Sequence, residues 1–245
     1  MYMQDVRFLT MGDSALTVEL GSDISPGINA RVRALNSAIN DSTISGVMET
    51  IPTYCSVTVV YQPEIILFHE IKSRLEELIG QLEVVEAPPS HVLEIPVFYG
   101  GEMGPDFDFV AGHTGKSFEE IIALHTEPEY LIYMLGFTPG FTYLGGLNPD
   151  LETPRLKSPR SHIPAGSVGI AGKQTGIYPT ASPGGWQLIG RTPVKLYDPH
   201  RANPILPKAG EYIKFVRVSI SEYESIAEQV SQGTYECRRY EKAGA

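Results

Sequence analysis

The chain has 245 residues, 42% of them hydrophobic, which is enough to bury the core of one or two domains. Its 19 Lys and Arg residues stand against 29 Asp and Glu residues, a formal net charge of −10 at pH 7. Such a surplus of negative charge repels nucleic acid backbones and anionic lipid headgroups, so neither is an expected partner. The N-terminal residues show no secretion signal and no run of ~20 apolar residues follows, so we expect a cytoplasmic protein without a membrane segment.

Residues 1–87 predict a small α/β domain. The predicted elements are a strand at 16–20, a helix at about 26–39, strands at 47–51 and 55–61, and a second helix from about residue 63. Ser25 and Pro26 are typical of a helix start, since serine caps the first turn and proline suits the first helical position. The order β-α-β-β-α begins a split βαβ motif, which a short strand near Val84 or Leu93 would complete.

The sequence Glu86-Ala-Pro-Pro-Ser90 is the best candidate for a linker, because adjacent prolines disfavour helices and central strands. We therefore place the domain boundary between residues 87 and 88. Residues 88–245 predict one or two short helices followed by many short strands, separated by turns rich in proline and glycine. This pattern indicates a closed or strongly curved sheet, and residues 221–235 predict a final helix.

The segment Thr114-Gly-Lys-Ser117 resembles the end of a phosphate-binding loop, but Val110 stands where that motif requires glycine. Ser117 and Glu120 instead have the spacing of a capping box at the start of a helix. We prefer the helix cap. The two cysteines, Cys55 and Cys237, are too few for a disulfide framework, and the scattered histidines predict no metal site.

Residues 135–147 interleave glycines with aromatic residues. Two interpretations stay open: a hairpin whose rings fill a core, or a segment that lets a ligand or the backbone of a partner approach closely. Further along, Arg155, Lys157 and Arg160 form a basic cluster in an acidic protein. This cluster favours an anionic ligand, because arginine binds carboxylate or phosphate with two hydrogen bonds, although a solvated loop is the alternative.

The next segments carry the single tryptophan, Trp186, preceded by Gly184 and Gly185 and close to amide, phenol and guanidinium groups. A lone tryptophan usually belongs to a core, but these neighbours favour the wall of a pocket. The segments that matter for a wider resemblance are 136–141, 159–160, 164–172, 174–179, 182–186 and 190–193.

On these segments the chain resembles the KipI family, formerly labelled allophanate hydrolase subunit 1 and now mostly interpreted as the B subunit of prokaryotic 5-oxoprolinase. The resemblance extends to residues 11–16 and 99–106, and so covers nearly the whole chain. It implies an α+β protein in which the small N-terminal domain precedes a cyclophilin-like β-barrel. It also implies partners, the C and A subunits of the same enzyme, and ATP as co-substrate, with magnesium carried by the nucleotide.

Two other functions stay open from the same resemblance: inhibition of a sporulation histidine kinase, and membership of a biotin-dependent urea or allophanate carboxyltransferase or hydrolase. For the enzyme, the residues predicted to be catalytic are Arg160, Gln174, Tyr178 and Arg191. Those predicted to bind substrate are Arg155, Gly166, Ser182, Gly184, Gly185 and Trp186. Lys173 departs from the smaller residue expected there, so its charge either enters the site or faces solvent. No complete catalytic set is visible, which predicts a site shared with a partner protein and a chain that is inactive alone.

Overall fold

The computed structural model describes residues 6–82 and 90–242, and the chain divides into two compact units, Met1–Pro89 and Ser90–Ala245. The predicted linker lies outside the described residues, apart from Ser90. The elements of the first unit are β1 (Arg7–Met11), β2 (Ala15–Glu19), α1 (Pro26–Ser42), β3 (Val47–Pro52), β4 (Ser56–Tyr61) and α2 (Phe68–Gln81).

The first unit is an antiparallel sheet in the order β1-β2-β4-β3, with one face buried against the two helices. Strand β4 lies between β2 and β3, which run parallel to each other, and this is the predicted split βαβ arrangement. Alternate residues of β2 and β4 are buried because successive side chains of a strand point to opposite faces. The core residues are Leu16, Val18, Val57 and Val59 from the sheet and Val32, Leu35, Ile71 and Leu75 from the helices.

The position next to β2 is occupied by β1 rather than by a strand following α2. Val84, one proposed site for the completing strand, lies outside the described residues, and Leu93 belongs to a strand of the second unit. Strand β1 escapes prediction because four of its five residues are exposed, so it lacks the alternation of a half-buried strand. The cap of α1 is as predicted: the Ser25 side chain accepts a hydrogen bond from the Ile28 amide at 3.2 Å.

The second unit is built mainly from short strands, as predicted. Its elements are β5 (His91–Tyr99), α3 (Phe107–Thr114), α4 (Phe118–Thr126), β6 (Tyr130–Leu135), β7 (Thr142–Gly145), β8 (Arg160–Ile163), β9 (Ser167–Ala171), β10 (Gln174–Ile177), β11 (Ser182–Gly184), β12 (Gln187–Arg191), β13 (Tyr212–Arg217), α5 (Ile220–Gln232) and β14 (Arg239–Glu241).

The main sheet runs in the order β10-β9-β12-β5-β13-β6-β7, with β14 also paired to β5. Its two end strands, β7 and β10, lie against each other, so the sheet nearly closes into a barrel. Strands β8 and β11 form a separate two-stranded ribbon. The α+β fold with a barrel-like second domain is therefore confirmed. Within the described residues, none of the helices combines the length and apolar character that crossing a bilayer requires.

The segment around Thr114 confirms the helix cap. Gly115 ends α3 in the left-handed conformation, with φ 67°, and Ser117 begins α4. The Ser117 amide donates to Glu120 Oε2 at 2.8 Å, while the Glu120 amide donates back to Ser117 Oγ at 3.4 Å. A phosphate loop would follow a strand, whereas a helix precedes this segment. The resemblance to a phosphate-binding loop is therefore coincidental.

Candidate functional site

A pocket of about 430 Å³ opens on the second unit, where the β6–β7 connection, the segment before β8, and strands β10 and β11 meet. Its volume suits a small molecule. The described lining residues are Phe137, Phe141, Tyr143, Arg155, Leu156, Pro159, Gln174, Tyr178, Pro183, Gly184, Gly185 and Trp186. The structure thus brings together six residues that the sequence predicts for the site: Arg155, Gln174, Tyr178, Gly184, Gly185 and Trp186.

Aromatic rings build one wall of this pocket around Phe141, whose side chain is buried. Four rings stand roughly edge-on to it, with centroid distances of 5.2 Å for Tyr143, 5.5 Å for Phe137, 5.8 Å for Trp186 and 6.1 Å for Tyr178. Edge-to-face pairs of this kind contribute about 0.5–1.5 kcal/mol each beyond the area that they bury. The wall is therefore largely preformed.

The indole of Trp186 lies over Gly176 of β10. A Cβ on Gly176 would come within 3.1 Å of indole Cζ3, which is tighter than ordinary van der Waals contact, so an alanine there would push the indole away. A Cβ on Gly169 of β9 would first meet the Gln187 carbonyl oxygen, at 2.9 Å, so this glycine keeps β9 and β12 close together. Gly176 thus helps to fix where the ring stands in the pocket.

Tyr178 contributes a phenol to the pocket. Burial raises the pKa of Tyr178, and this outweighs the opposing effects of hydrogen bonding to the Trp186 backbone and of the charges on Arg155 and Arg160. The phenol is therefore neutral at physiological pH, and a neutral phenol has a proton that it can donate to a ligand.

Among the described residues that line the pocket, Arg155 is the one with a charged side chain, and it is exposed. Gln174, at the start of β10, adds an amide that can both donate and accept. The pocket therefore combines aromatic rings, neutral polar groups such as the Tyr178 phenol and the Gln174 amide, and one guanidinium. This combination suits a small, flat ligand with a single negative charge.

Arg160 lies behind the pocket rather than in its lining. Its Nη2 atom pairs with Asp106 Oδ1 at 2.6 Å, and its Nη1 atom donates to the Trp186 carbonyl at 3.4 Å. The second oxygen of Asp106 accepts from the Leu188 amide at 2.7 Å. The guanidinium thus joins β8 to the chain that carries Trp186, an arrangement that supports the pocket wall. The predicted catalytic role of Arg160 stays a prediction.

Three other predicted residues also lie outside the lining. Arg191 ends β12, and its Nε atom is buried with no hydrogen-bond partner among the described residues. Gly166, with φ 81°, packs against the Thr192 carbonyl and so serves a tight turn. Ser182 pairs with Ile163 in the β8–β11 ribbon. Lys173 is exposed in the turn between β9 and β10, so its charge faces solvent.

Half of the lining residues that were not predicted, namely Phe137, Phe141 and Tyr143, come from the segment of glycines and aromatic residues. Strands β6 and β7 form the predicted hairpin, with Phe141 buried, whereas Phe137 is 67% exposed at the pocket. Close approach of a ligand or of a partner's backbone stays a prediction. The interleaved pattern was the available signal. It could not say which ring of the pocket is buried and which is exposed to solvent.

A second cavity of about 470 Å³ lies in the first unit beside α2. Its charged residues include Arg74 and Glu77, which pair with each other at 3.4 Å and are 65% and 62% exposed. Such solvated pairs contribute little to binding or stability.

Neither cysteine adds a nucleophile to the pocket beside Trp186, because neither lies in its lining. Burial raises the pKa of the Cys237 thiol to about 11, so this thiol is protonated at neutral pH.

The family of the carboxyltransferase domain, subdomain C and D, matches residues 6–207 of this chain. The chain is 43% identical over 229 residues to the 5-oxoprolinase B subunit of Bacillus subtilis (strain 168), covering 89% of this chain and 95% of that protein. The crystal structure of TTHA0988 is similar with a TM-score of 0.74 and 36% identity, covering 84% of this chain and 40% of that one.

Urea amidolyase from K. lactis shares the fold, with a TM-score of 0.78 at 20% identity, over 97% of this chain and 16% of that one. The chain thus spans less than half the length of both solved structures.

Proposed function

The chain belongs to the family of 5-oxoprolinase B subunits, which confirms the resemblance of its motifs, and from that premise we propose that it is one component of an ATP-dependent enzyme converting 5-oxo-L-proline to L-glutamate. The observation that carries the proposal is the pocket beside Trp186. An aromatic lining with one guanidinium matches a flat five-membered lactam that carries one carboxylate.

In this proposal Arg155 binds the carboxylate of 5-oxoproline, because a guanidinium can donate two parallel hydrogen bonds to it. Tyr178 and Gln174 orient the lactam group through a phenol donor and an amide. Gly184 leaves room for the Tyr178 hydroxyl, because a Cβ there would clash with that oxygen. Gly185 keeps the adjoining backbone free of a side chain, so that a ring can approach it.

The chemical step that we propose is transfer of the γ-phosphoryl group of ATP to the lactam oxygen. A bond forms between that oxygen and the γ-phosphorus, while the bond from phosphorus to the leaving oxygen of ADP breaks and the lactam nitrogen gives up its proton. Addition of water then breaks the C–N bond of the ring and leaves glutamyl phosphate, and a second water releases phosphate and L-glutamate. Phosphoryl transfer depends on positioning and on positive charge around the phosphate oxygens. One arginine is a poor match for a triphosphate, so we assign the nucleotide to a site completed by the C subunit, with the A subunit needed for full turnover.

Among the described residues there is no group of three or more His, Cys, Asp or Glu side chains arranged to hold a metal ion, so in this proposal magnesium is carried by the nucleotide. We therefore assign no step of the reaction to a metal held by this chain.

The test is phosphate release from ATP, with and without 5-oxoproline, by this chain alone, by its pair with the C subunit, and by the trio that also contains the A subunit. We expect negligible activity from the single chain and substrate-dependent release from the complex, because each missing transition-state donor typically costs ~10²–10³-fold in rate. Robust turnover by the chain alone would contradict the shared site. A silent trio would contradict the 5-oxoprolinase assignment.

The carboxyltransferase family match favours a second candidate, transfer of a carboxyl group from carboxybiotin to a small amide such as urea. Incubating the complex with carboxybiotin and urea, and measuring decarboxylation of the biotin, separates this candidate from the first. Inhibition of a sporulation histidine kinase stays a prediction of the motifs, and kinase autophosphorylation with and without a saturating amount of this chain tests it.

A further inference from the structure

The backbone at Phe137 is unusual for a bulky residue. Its φ is 63°, a left-handed value, and the only other non-glycine residue with positive φ in the described ranges is Thr43, which ends helix α1. The Thr138 amide donates to the Gly136 carbonyl at 2.7 Å, which closes a three-residue turn with Phe137 at its centre. A turn of this kind with positive φ is rare and strained.

Packing does not compensate for that strain. The Phe137 side chain is 67% exposed, and the ring contact found for it is the one with Phe141, at 5.5 Å between centroids. The same turn leaves Thr138 Oγ1 buried without a hydrogen-bond partner in the described part of the chain. An ordinary core role would bury the ring and relax the backbone, so the arrangement must be explained by what the ring faces.

The ring faces the pocket and stands at its opening, because Phe137 both lines the pocket and is largely exposed. The same lining contains Phe141, whose ring stands edge-on to that of Phe137, and the exposed guanidinium of Arg155. A planar ring or amide plane with one negative charge would suit this lining, with its face against Phe137 and its charge toward the guanidinium.

We infer that Phe137 is a specificity-determining residue of this pocket, whose phenyl ring packs on the face of a flat cyclic amide bearing one carboxylate. The inference rests on the proposed function, and it names the residue by which the pocket distinguishes a flat cyclic ligand from an open-chain or puckered one. The three-residue turn holds the phenyl ring at the opening before the ligand binds, so that little ordering is required on binding.

The test uses the full chain assembled with its partner proteins and compares four proteins: the wild type, Phe137→Gly, Phe137→Tyr and, as a matched control, Phe109→Ala. Phe109 is also a largely exposed phenylalanine, 52%, but it lies on α3 and not in the pocket lining. Glycine at 137 adopts the positive φ without strain, so the turn can keep its conformation while the ring is removed. The variant therefore tests the ring and not the backbone conformation.

For Phe137→Gly we expect the KM for 5-oxoproline to rise roughly three- to tenfold with kcat within about twofold, because stacking acts on binding rather than on the chemical step. The melting temperature should stay equal or rise. Phe137→Tyr should restore the KM, and Phe109→Ala should leave it unchanged. An unchanged KM in Phe137→Gly would overturn the inference, as would a large fall in its melting temperature or failure to assemble with the partner proteins, which would assign the ring to folding or to a partner contact.

Fluorescence of the single tryptophan, Trp186, provides a binding readout that does not depend on turnover, since this residue lies in the same pocket. The ligands are 5-oxo-L-proline, cyclopentanecarboxylate, which lacks the flat amide, and L-glutamine, which lacks the ring. If the wild-type complex shows no 5-oxoproline-dependent ATP hydrolysis, the proposed function fails; a saturable response to 5-oxoproline that weakens in Phe137→Gly would still support the role of Phe137. Equal responses to all three ligands, or no response, would then overturn it.

Discussion

The second unit contains two clusters of aromatic and polar side chains that resemble each other in composition but differ in access to solvent. One is centred on His125, which is fully buried inside the barrel. The other is the pocket beside Trp186. Strand β10 separates them: Thr175 contacts His125, whereas the neighbouring Gly176 lies under the indole of Trp186. Because adjacent residues of a strand point to opposite faces, a single strand serves both clusters.

The cluster around His125 satisfies its own hydrogen bonds. Thr175 Oγ1 donates to the Gly169 carbonyl at 3.0 Å and therefore accepts from His125 Nε2 at 2.8 Å. The other ring nitrogen, Nδ1, is then the acceptor for the Tyr99 hydroxyl, also at 2.8 Å. In the pocket, by contrast, Phe137 and Arg155 are exposed to solvent, so a ligand can reach the lining. The comparison teaches that a closed network stabilises a fold, while an open one can bind a ligand.

The largest expected effect comes from emptying the closed cluster. His125→Ala should lower the free energy of unfolding of the second unit by about 3–5 kcal/mol, because it leaves a cavity and removes partners from Tyr99 and Thr175. Urea denaturation followed by Trp186 fluorescence measures it, and His113→Ala is the control, since His113 is exposed on α3. If both variants unfold at the same urea concentration, the network does not stabilise the fold.

Removing the ion pair behind the pocket should have a smaller effect. Arg160→Ala leaves the nearly buried Asp106 carboxylate with only the hydrogen bond from the Leu188 amide. We expect the free energy of unfolding to fall by about 1–3 kcal/mol, between the values for surface and fully buried ion pairs. Arg217→Ala is the matched control, because Arg217 pairs with Glu119 at 2.6 Å but both side chains are exposed. The contrast fails if Arg217→Ala proves as destabilising as Arg160→Ala in the same denaturation assay.

The pH dependence of stability tests the contribution of the buried His125 without creating a cavity. Burial lowers the pKa of His125 from 6.5 to about 3, so the folded protein keeps this histidine neutral while the unfolded chain takes up a proton. The neutral His125 therefore contributes to the free energy of unfolding in full above pH 6.5. This contribution is lost as the pH falls toward 3, at about 1.4 kcal/mol per pH unit. Urea midpoints at pH 7, 6 and 5 should decline in the wild type, and the decline should be reduced in His125→Gln. An equal decline in both proteins would assign it to other groups.

The smallest effect on stability should come from the open cluster. Arg155→Ala removes an exposed side chain, so the free energy of unfolding should change by less than about 0.5 kcal/mol. The affinity of the Arg155→Ala variant for 5-oxoproline should nevertheless fall about tenfold or more, because a charged hydrogen bond to the ligand is lost. Tryptophan fluorescence titration measures the affinity. Lys157 is an exposed basic neighbour outside the lining, so Lys157→Ala should bind 5-oxoproline as the wild type does. A similar loss of affinity in both variants would indicate attraction by the overall positive charge of the segment and not a direct contact with Arg155.

Local patterns were enough to predict much of the fold. The caps at Ser25 and Ser117 mark the first residues of α1 and α4, since a serine hydroxyl can bind the free amides of a first helical turn wherever it occurs. The start of α2 was placed too early, near residue 63, because the 62–66 segment folds as a turn in which the Ile65 and Ile66 amides both donate to the Gln62 carbonyl. Apolar residues in that turn imitate a helical period.

By itself, the sequence determined the α+β class, the β-rich second half and the group of residues around Trp186, because periodicity, turn chemistry and short motifs depend on neighbours along the chain. Only the tertiary structure decided which member of that group lines the pocket. It placed Arg155 beside Tyr178 and turned Arg160 toward Asp106, 54 residues away. Both arginines stand in the same basic segment, whereas Asp106 lies just before α3 and Tyr178 just after β10, far away along the chain. Only the packing of these elements in three dimensions brings such residues together.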